Sequence, residues 1–211
     1  MKDCTILTGT ISISDLPFLK DYEEVKKQLS IRFVNRMKIK PEAVYKLYLD
    51  FGVTCHIDVS DLVGDDATCM VKRGLMEYMG VEKDRLFADA IENSMKIRPA
   101  VAVPIEDYMG HMGFPMFEGE HRLMIATTEK LMYGAGVILY PGFLERISGG
   151  KSLFLIPSSV HEWLYLENDS GEFTGEELTD LLRVVNKDVV AEDEVLGDTV
   201  YYYDGKGMRR A

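Results

Sequence analysis

Residues 157–162, Pro-Ser-Ser-Val-His-Glu, concentrate more groups able to do chemistry than any other short stretch of the 211-residue chain. A hydroxyl, an imidazole and a carboxylate are the parts of a nucleophile activated through a base. Here they would be Ser158 or Ser159, with His161 and Glu162. The spacing argues against joint action. In an extended segment Ser159 and His161 share one face, and Ser158 and Glu162 share the other. Neighbours on a face point along parallel directions, so His161 would not aim at Ser159. The Gly-x-Ser-x-Gly elbow that presents a nucleophilic serine is absent. The stronger reading is structural: Pro157 breaks a strand, the serines satisfy freed backbone groups, and His161 makes a fixed hydrogen bond.

Metal ligation is the second chemistry to weigh. The four histidines are His56, His111, His121 and His161. His56 and Asp58 fall on one face of an apparent strand. His121 follows Glu120 beside a glycine-rich stretch that contains His111. A catalytic zinc site takes three protein ligands, often two histidines and a carboxylate, and His56, Asp58 and His121 could supply them. No HExxH or similar two-histidine spacing anchors such a set. The glycine run Gly149-Gly150-Lys151-Ser152 ends as a phosphate loop ends, but it lacks the upstream glycine and leads into a strand. A turn is the better reading. No metal and no cofactor is expected.

Charge narrows the partners. The net charge is -11. Between Glu167 and Asp198 there are eleven acids and two bases, a local net of -9 that leaves only -2 for the rest. Such a surface disfavours nucleic acid and anionic lipid and suits a basic protein partner. The opposite feature is Lys26, Lys27, Arg32, Arg36, Lys38 and Lys40, with no acid among them. Aromatic residues do not interleave these bases as a stacking platform would, so nucleic acid remains a weak alternative. No apolar run approaches the ~20 residues that span a bilayer, and the first residues lack a secretory pattern. Cys4, Cys55 and Cys69 form no CxxC pair. They read as small buried hydrophobes in a reducing cytoplasm.

The elements that must position these groups follow from periodicity. Strands are expected over 5–14, 28–36, 47–59 and 67–71, the last two as a hairpin turning at Gly64-Asp65-Asp66. A single helix running through to Met37 competes with the strand at 28–36. Residues 81–97 read as a helix stopped by Pro99, followed by a helical turn at 104–109. Strands are expected at 123–127, 135–140, 152–156 and 163–166, with a short helix after Pro141. Thr174-Gly-Glu-Glu is a capping box. Leu178, Leu181, Leu182 and Val185 follow it as a core-facing stripe. Tyr201, Tyr202 and Tyr203 read as a half-buried edge strand that could pair with a second copy in a homodimer. Asp50 and Asn93 interrupt apolar patterns: Asn93 reads as a helix cap or a backbone-bonding group, and Asp50 as the end of a turn. The class is α+β, a mainly antiparallel sheet with three to five helices packed on it. A single domain is expected over 1–211, with sub-regions 1–109 and 120–211 joined by the Gly/Pro loop at 110–120.

Three segments carry a resemblance: YLDFGVTCHIDV (48–59), RLFADAIENS (85–94) and LFLIPSSVHEWLYL (153–166), the last extended by VVNKDVVAEDEVLGDTVYYYD (184–204). With its PSSxHE and VYxYD pieces, the chain resembles an uncharacterised bacterial family catalogued only as a domain of unknown function. The resemblance covers most of residues 20–204. It implies one coherent fold and nothing about mechanism, since no activity, cofactor or catalytic residue is assigned to that family. The weakness of every catalytic signal and the localised acidic surface make a noncatalytic intracellular binding or adaptor protein the expected function. A hydrolase using Ser159, His161 and Glu162, with or without a metal, is the alternative.

Overall fold

The computed structural model describes residues 3–6, 9–12, 16–63, 67–107, 123–168, 171 and 173–211. They form two compact units, Met1–Arg98 and Pro99–Ala211. The turn expected at 64–66 and the loop at 110–120 lie outside the described residues.

In the first unit, β1 (Asp3–Ile6) and β2 (Gly9–Ser12) form an antiparallel hairpin where one strand is expected. The main sheet is built from β3 (Leu29–Asn35), β4 (Tyr45–Tyr48), β5 (Phe51–Asp58) and β6 (Thr68–Met70). β5 is central. β3 runs along one side of it, and β4 and β6 share the other side, all antiparallel. Asp21 caps α1 (Tyr22–Lys26) through the Glu23 N–H, and the chain is extended again by Leu29, so one long helix to Met37 does not form. α2 (Ser60–Val63) and α3 (Arg73–Met79) precede α4 (Lys83–Ile97).

Helix α4 closes the sheet at β3. Leu86, Phe87 and Ala90 are buried with Leu29, Ile31, Phe33, Val53, Cys55 and Ile57. Asn93 Nδ2 donates to the carbonyls of Lys27 and Leu29 at 2.9 and 2.8 Å. The Ile31 N–H donates to Ser94 Oγ at 2.9 Å. These bonds occupy polar groups on the outer edge of β3 that would otherwise recruit another strand. Asn93 thus bonds backbone, as its place in an apolar pattern implies.

Cys55 is a free, fully buried thiol. Cys69 is disulfide-bonded, which corrects the expectation of unlinked cysteines. A bridge needs proximity in space, which the spacing of cysteines along the chain does not reveal. Cysteine usage therefore gives no argument for a reducing compartment.

The second unit is a six-stranded antiparallel sheet in the order β12-β11-β9-β10-β8-β7. Its strands are β7 (Ala100–Pro104), β8 (Met124–Thr128), β9 (Leu153–Ile156), β10 (Trp163–Glu167), β11 (Tyr201–Tyr203) and β12 (Met208–Arg210). α5 (Phe143–Ser148) lies between β8 and β9 in sequence, and α6 (Gly175–Asp188) between β10 and β11. The α+β class with antiparallel sheets is as expected. Among the described residues three helices reach seven residues, α3, α4 and α6, and one-turn pieces raise the total above five. Such short pieces leave no 3.6-residue pattern to read.

Two further expectations are corrected. Residues 135–140 are not a strand: Gly134–Leu139 is a 3-10 helix. Its first residue is pinned, because a Cβ on Gly134 would stand 2.2 Å from Thr127 Oγ1, 2.6 Å from the Thr128 nitrogen and 2.7 Å from the His161 carbonyl oxygen. β11 is not an edge strand. β12 pairs with its outer side, and Tyr201 and Tyr203 are buried. The edge proposed for a homodimer is therefore already occupied. Among the described residues no helix is long and apolar enough to cross a membrane.

Candidate functional site

The residues of the Pro-Ser-Ser-Val-His-Glu segment form a tight turn between β9 and β10 rather than a strand face. Ser159 is buried. Its hydroxyl donates to Glu162 Oε1 at 2.8 Å and accepts from the His161 backbone N–H at 2.9 Å. The His161 ring is committed elsewhere. Nδ1 accepts from the Tyr133 N–H at 3.0 Å, and Nε2 lies 3.3 Å from Glu194 Oε1. The His161 carbonyl accepts from Thr127 Oγ1 at 2.7 Å and from the Gly134 N–H at 2.9 Å.

These bonds decide the chemistry. An Nδ1 that accepts carries no proton, so the neutral ring holds its proton on Nε2 and points it at Glu194. Ser159 directs its own proton to a carboxylate. The hydroxyl and imidazole are neighbours in sequence with separate partners, and together they clamp β10 to the 3-10 helix. Tyr133 and Glu194, which complete the cluster, lie 28 and 33 residues from His161. Sequence order gave no signal for either.

Two of the metal candidates have other partners. His56 Nε2 lies 3.1 Å from Thr54 Oγ1, while Asp58 Oδ1 accepts from the Ser60 N–H and hydroxyl and starts α2. His121 lies outside the described residues. Among the described residues no group of three His, Cys, Asp or Glu could hold a metal. The basic stretch is also divided. Lys26 pairs with Asp89 at 2.7 Å and Lys27 with Glu24 at 2.6 Å. Arg32 lies within β3, and Arg36, Lys38 and Lys40 are exposed beyond it.

A different feature emerges where α6 meets β9 and β10. The capping box at Thr174 forms as expected, with Thr174 and Glu177 bonded reciprocally. Leu178 and Leu182 are buried against Phe154, Ile156, Leu166 and Val200. The other half of the apolar stripe is not core. Leu181 is 60% exposed and Val185 37%, and Val184, beside the stripe, is 57% exposed. Leu181 and Val185 instead line a groove of about 220 Å³ whose floor includes Ile156, Leu164 and Leu166. Its lining is apolar apart from the Ser158 hydroxyl. For scale, an apolar cavity of ~150 Å³ holds benzene. On α6 the exposed Asp188 lies beside the Leu181 side of the stripe, whereas Glu176 and Asp180 project from the opposite face of the helix.

A family model described as a family of unknown function (DUF5688) matches residues 8–205. The chain belongs to the DUF5688 family. No curated protein and no solved structure matches it. The DUF5688 span takes in the groove residues from Leu123 to Val185, the His161 cluster and the sheet of the first unit, and it ends before β12.

Proposed function

We propose that this chain is a noncatalytic binding protein that takes the apolar face of a basic segment of a partner protein into the groove beside α6. The observation that carries this reading is the exposure of Leu181 and Val184 beside a preformed apolar groove. Apolar side chains that continue a core stripe into solvent mark a surface that another molecule covers. The local net charge of -9 between Glu167 and Asp198 favours a partner segment of positive sign. A hydrolase reading has less support, because His161 would have to leave both Tyr133 and Glu194 to serve Ser159.

The reading is tested by fluorescence anisotropy with two designed amphipathic helical peptides of identical apolar face, one with lysines and one with glutamates on its polar face. Saturable binding of the lysine peptide is expected. It should weaken with salt and fall by about tenfold or more in L181D/V184D, since a lost anchor of ~1.4 kcal/mol is a factor of ten. Equal binding of both peptides, or binding unchanged in the variant, contradicts it.

A further inference from the structure

The sheet of the first unit carries a polar constellation on the face opposite its apolar one. Ser30 pairs with His56 and Arg32 with Thr54 across β3 and β5. Antiparallel partners project to the same side, so these four side chains share a face. Ser30 is fully buried, and Thr54 and Arg98 nearly so. Thr54 Oγ1 lies 3.1 Å from His56 Nε2 and 3.4 Å from the Arg32 carbonyl oxygen. Ser30 Oγ and His56 Nδ1 are shut off from water and have no hydrogen-bond partner among the described residues. Buried polar atoms are nearly always satisfied, and two unsatisfied ones on a single cross-strand pair call for a further partner atom.

Electrostatics gives the sign of that atom. Burial holds the His56 ring well below the ordinary histidine range, and the positive charges of Arg32, Arg98 and Lys40 push it the same way. Among the described residues of these strands, Asp58 is the carboxylate on this face, and it is engaged by Ser60. The face reaches solvent along β4, where Tyr45, the partner of Thr54, and Leu47 are exposed.

We propose that Ser30, Thr54 and His56, within the field of Arg32, Arg98 and Lys40, bind the oxyanion group of a small molecule, a carboxylate or a phosphate. In the bound state the Thr54 hydroxyl turns from the distant Arg32 carbonyl to His56 Nε2. The neutral ring then carries its proton on Nδ1 and donates it to the ligand, and the Ser30 hydroxyl donates a second bond. Binding needs no protonation of His56 and so persists above pH 7.

The experiment is an NMR titration of the full chain, labelled with ¹⁵N-histidine, at pH 7.5. The probes are inorganic phosphate and acetate, with chloride at matched ionic strength as control. A saturable shift of the His56 ring nitrogens with phosphate or acetate, absent with chloride, is expected, and the anion that gives it names the group. S30A, a substitution that removes only a hydroxyl, should weaken this response by about tenfold. No His56 response to either anion, a response equal to that with chloride, or an unchanged response in S30A overturns the proposal.

Discussion

Tyr133 holds His161 in two ways: its backbone N–H donates to Nδ1 at 3.0 Å, and the two rings meet with centroids 5.1 Å apart. Tyr133 adopts a left-handed backbone with φ of 50°, a conformation that costs a non-glycine residue energy unless its surroundings enforce it. The imidazole is part of that enforcement. His161 is accordingly a structural clamp whose tautomer is set by the backbone.

Removing the clamp should destabilise the second unit. H161A leaves the Tyr133 N–H without its acceptor and is expected to cost about 1–3 kcal/mol. H161N, whose side-chain oxygen can accept in place of Nδ1, should recover part of the loss. Chemical denaturation followed by Trp163 fluorescence measures both, since the single tryptophan is fully buried in this unit. Equal stability of H161A and the parent would contradict the assignment.

The serine of the same turn should be chemically quiet. With its hydroxyl donating to Glu162, Ser159 has no imidazole to deprotonate it, and an active-site serine probe such as a fluorophosphonate should leave it unlabelled in the native protein. Stoichiometric labelling at Ser159, located by peptide mass spectrometry, would revive the hydrolase alternative.

Gly134 should tolerate no side chain. Two of the three atoms that a Cβ would strike are backbone atoms, which cannot swing aside. G134A is expected to cost upwards of about 2 kcal/mol, in the range of overpacked sites. A thermal midpoint within ~1 °C of the parent would show that the 3-10 helix can shift.

Helix α6 offers an internal comparison. L178A empties core volume and should cost about 2–5 kcal/mol. L181A, three residues on, should stay within ~0.5 kcal/mol because its side chain is mostly in solvent. Parallel denaturation of the two variants separates core from groove. Similar losses would mean that Leu181 is packed.

Two pH windows belong to the first unit. Burial tends to raise the Asp89 pKa, but hydrogen bonds from Lys26 and Tyr22, with the charges of Lys26 and Arg85, leave it below the ordinary 3.8. A depressed carboxylate contributes stability above its unfolded pKa and loses it as pH falls through the folded value. D89N should therefore flatten the decline in stability below about pH 4. His56 is held below 6.5, so the unfolded chain binds a proton that the folded chain refuses. Stability then falls as pH drops below about 6.5, by at most ~1.4 kcal/mol per pH unit. H56Q should remove that slope, and denaturation midpoints between pH 5 and 7.5 would reveal it. An unchanged slope would place the protonation elsewhere.

Legibility followed the range of the interactions. The capping box at Thr174, the helix from Lys83 to Ile97 and the strand pair β5–β6 rest on local chemistry, and the sequence announces them. Asn93 was readable as a backbone partner because a polar residue inside an apolar helix face has few other uses. Residues 134–139 were not, since Val137-Ile138-Leu139 looks like a strand and the decision lies in how Gly134 meets β8 and the His161 turn. The stripe on α6 shows the same limit. Periodicity identifies Leu181 and Val185 as apolar, but only the packing of β9 and β10 determines that the core stops at Leu178 and Leu182. Glu194 joined to His161, and Ser30 paired with His56, are products of the fold and have no local signature.

The central claim is that the groove beside α6 is a docking surface for a basic, apolar-faced segment. Methyl NMR of the leucine- and valine-labelled protein, titrated with the lysine-faced helical peptide, tests it most directly. The account predicts saturable shifts confined to Val184 and the leucine and valine methyls that line the groove, Leu164, Leu166, Leu181, Leu182 and Val185 among them, reduced by salt and lost in L181D/V184D. Methyl resonances of the groove that stay still while the peptide binds elsewhere, or no binding at low salt, would contradict it.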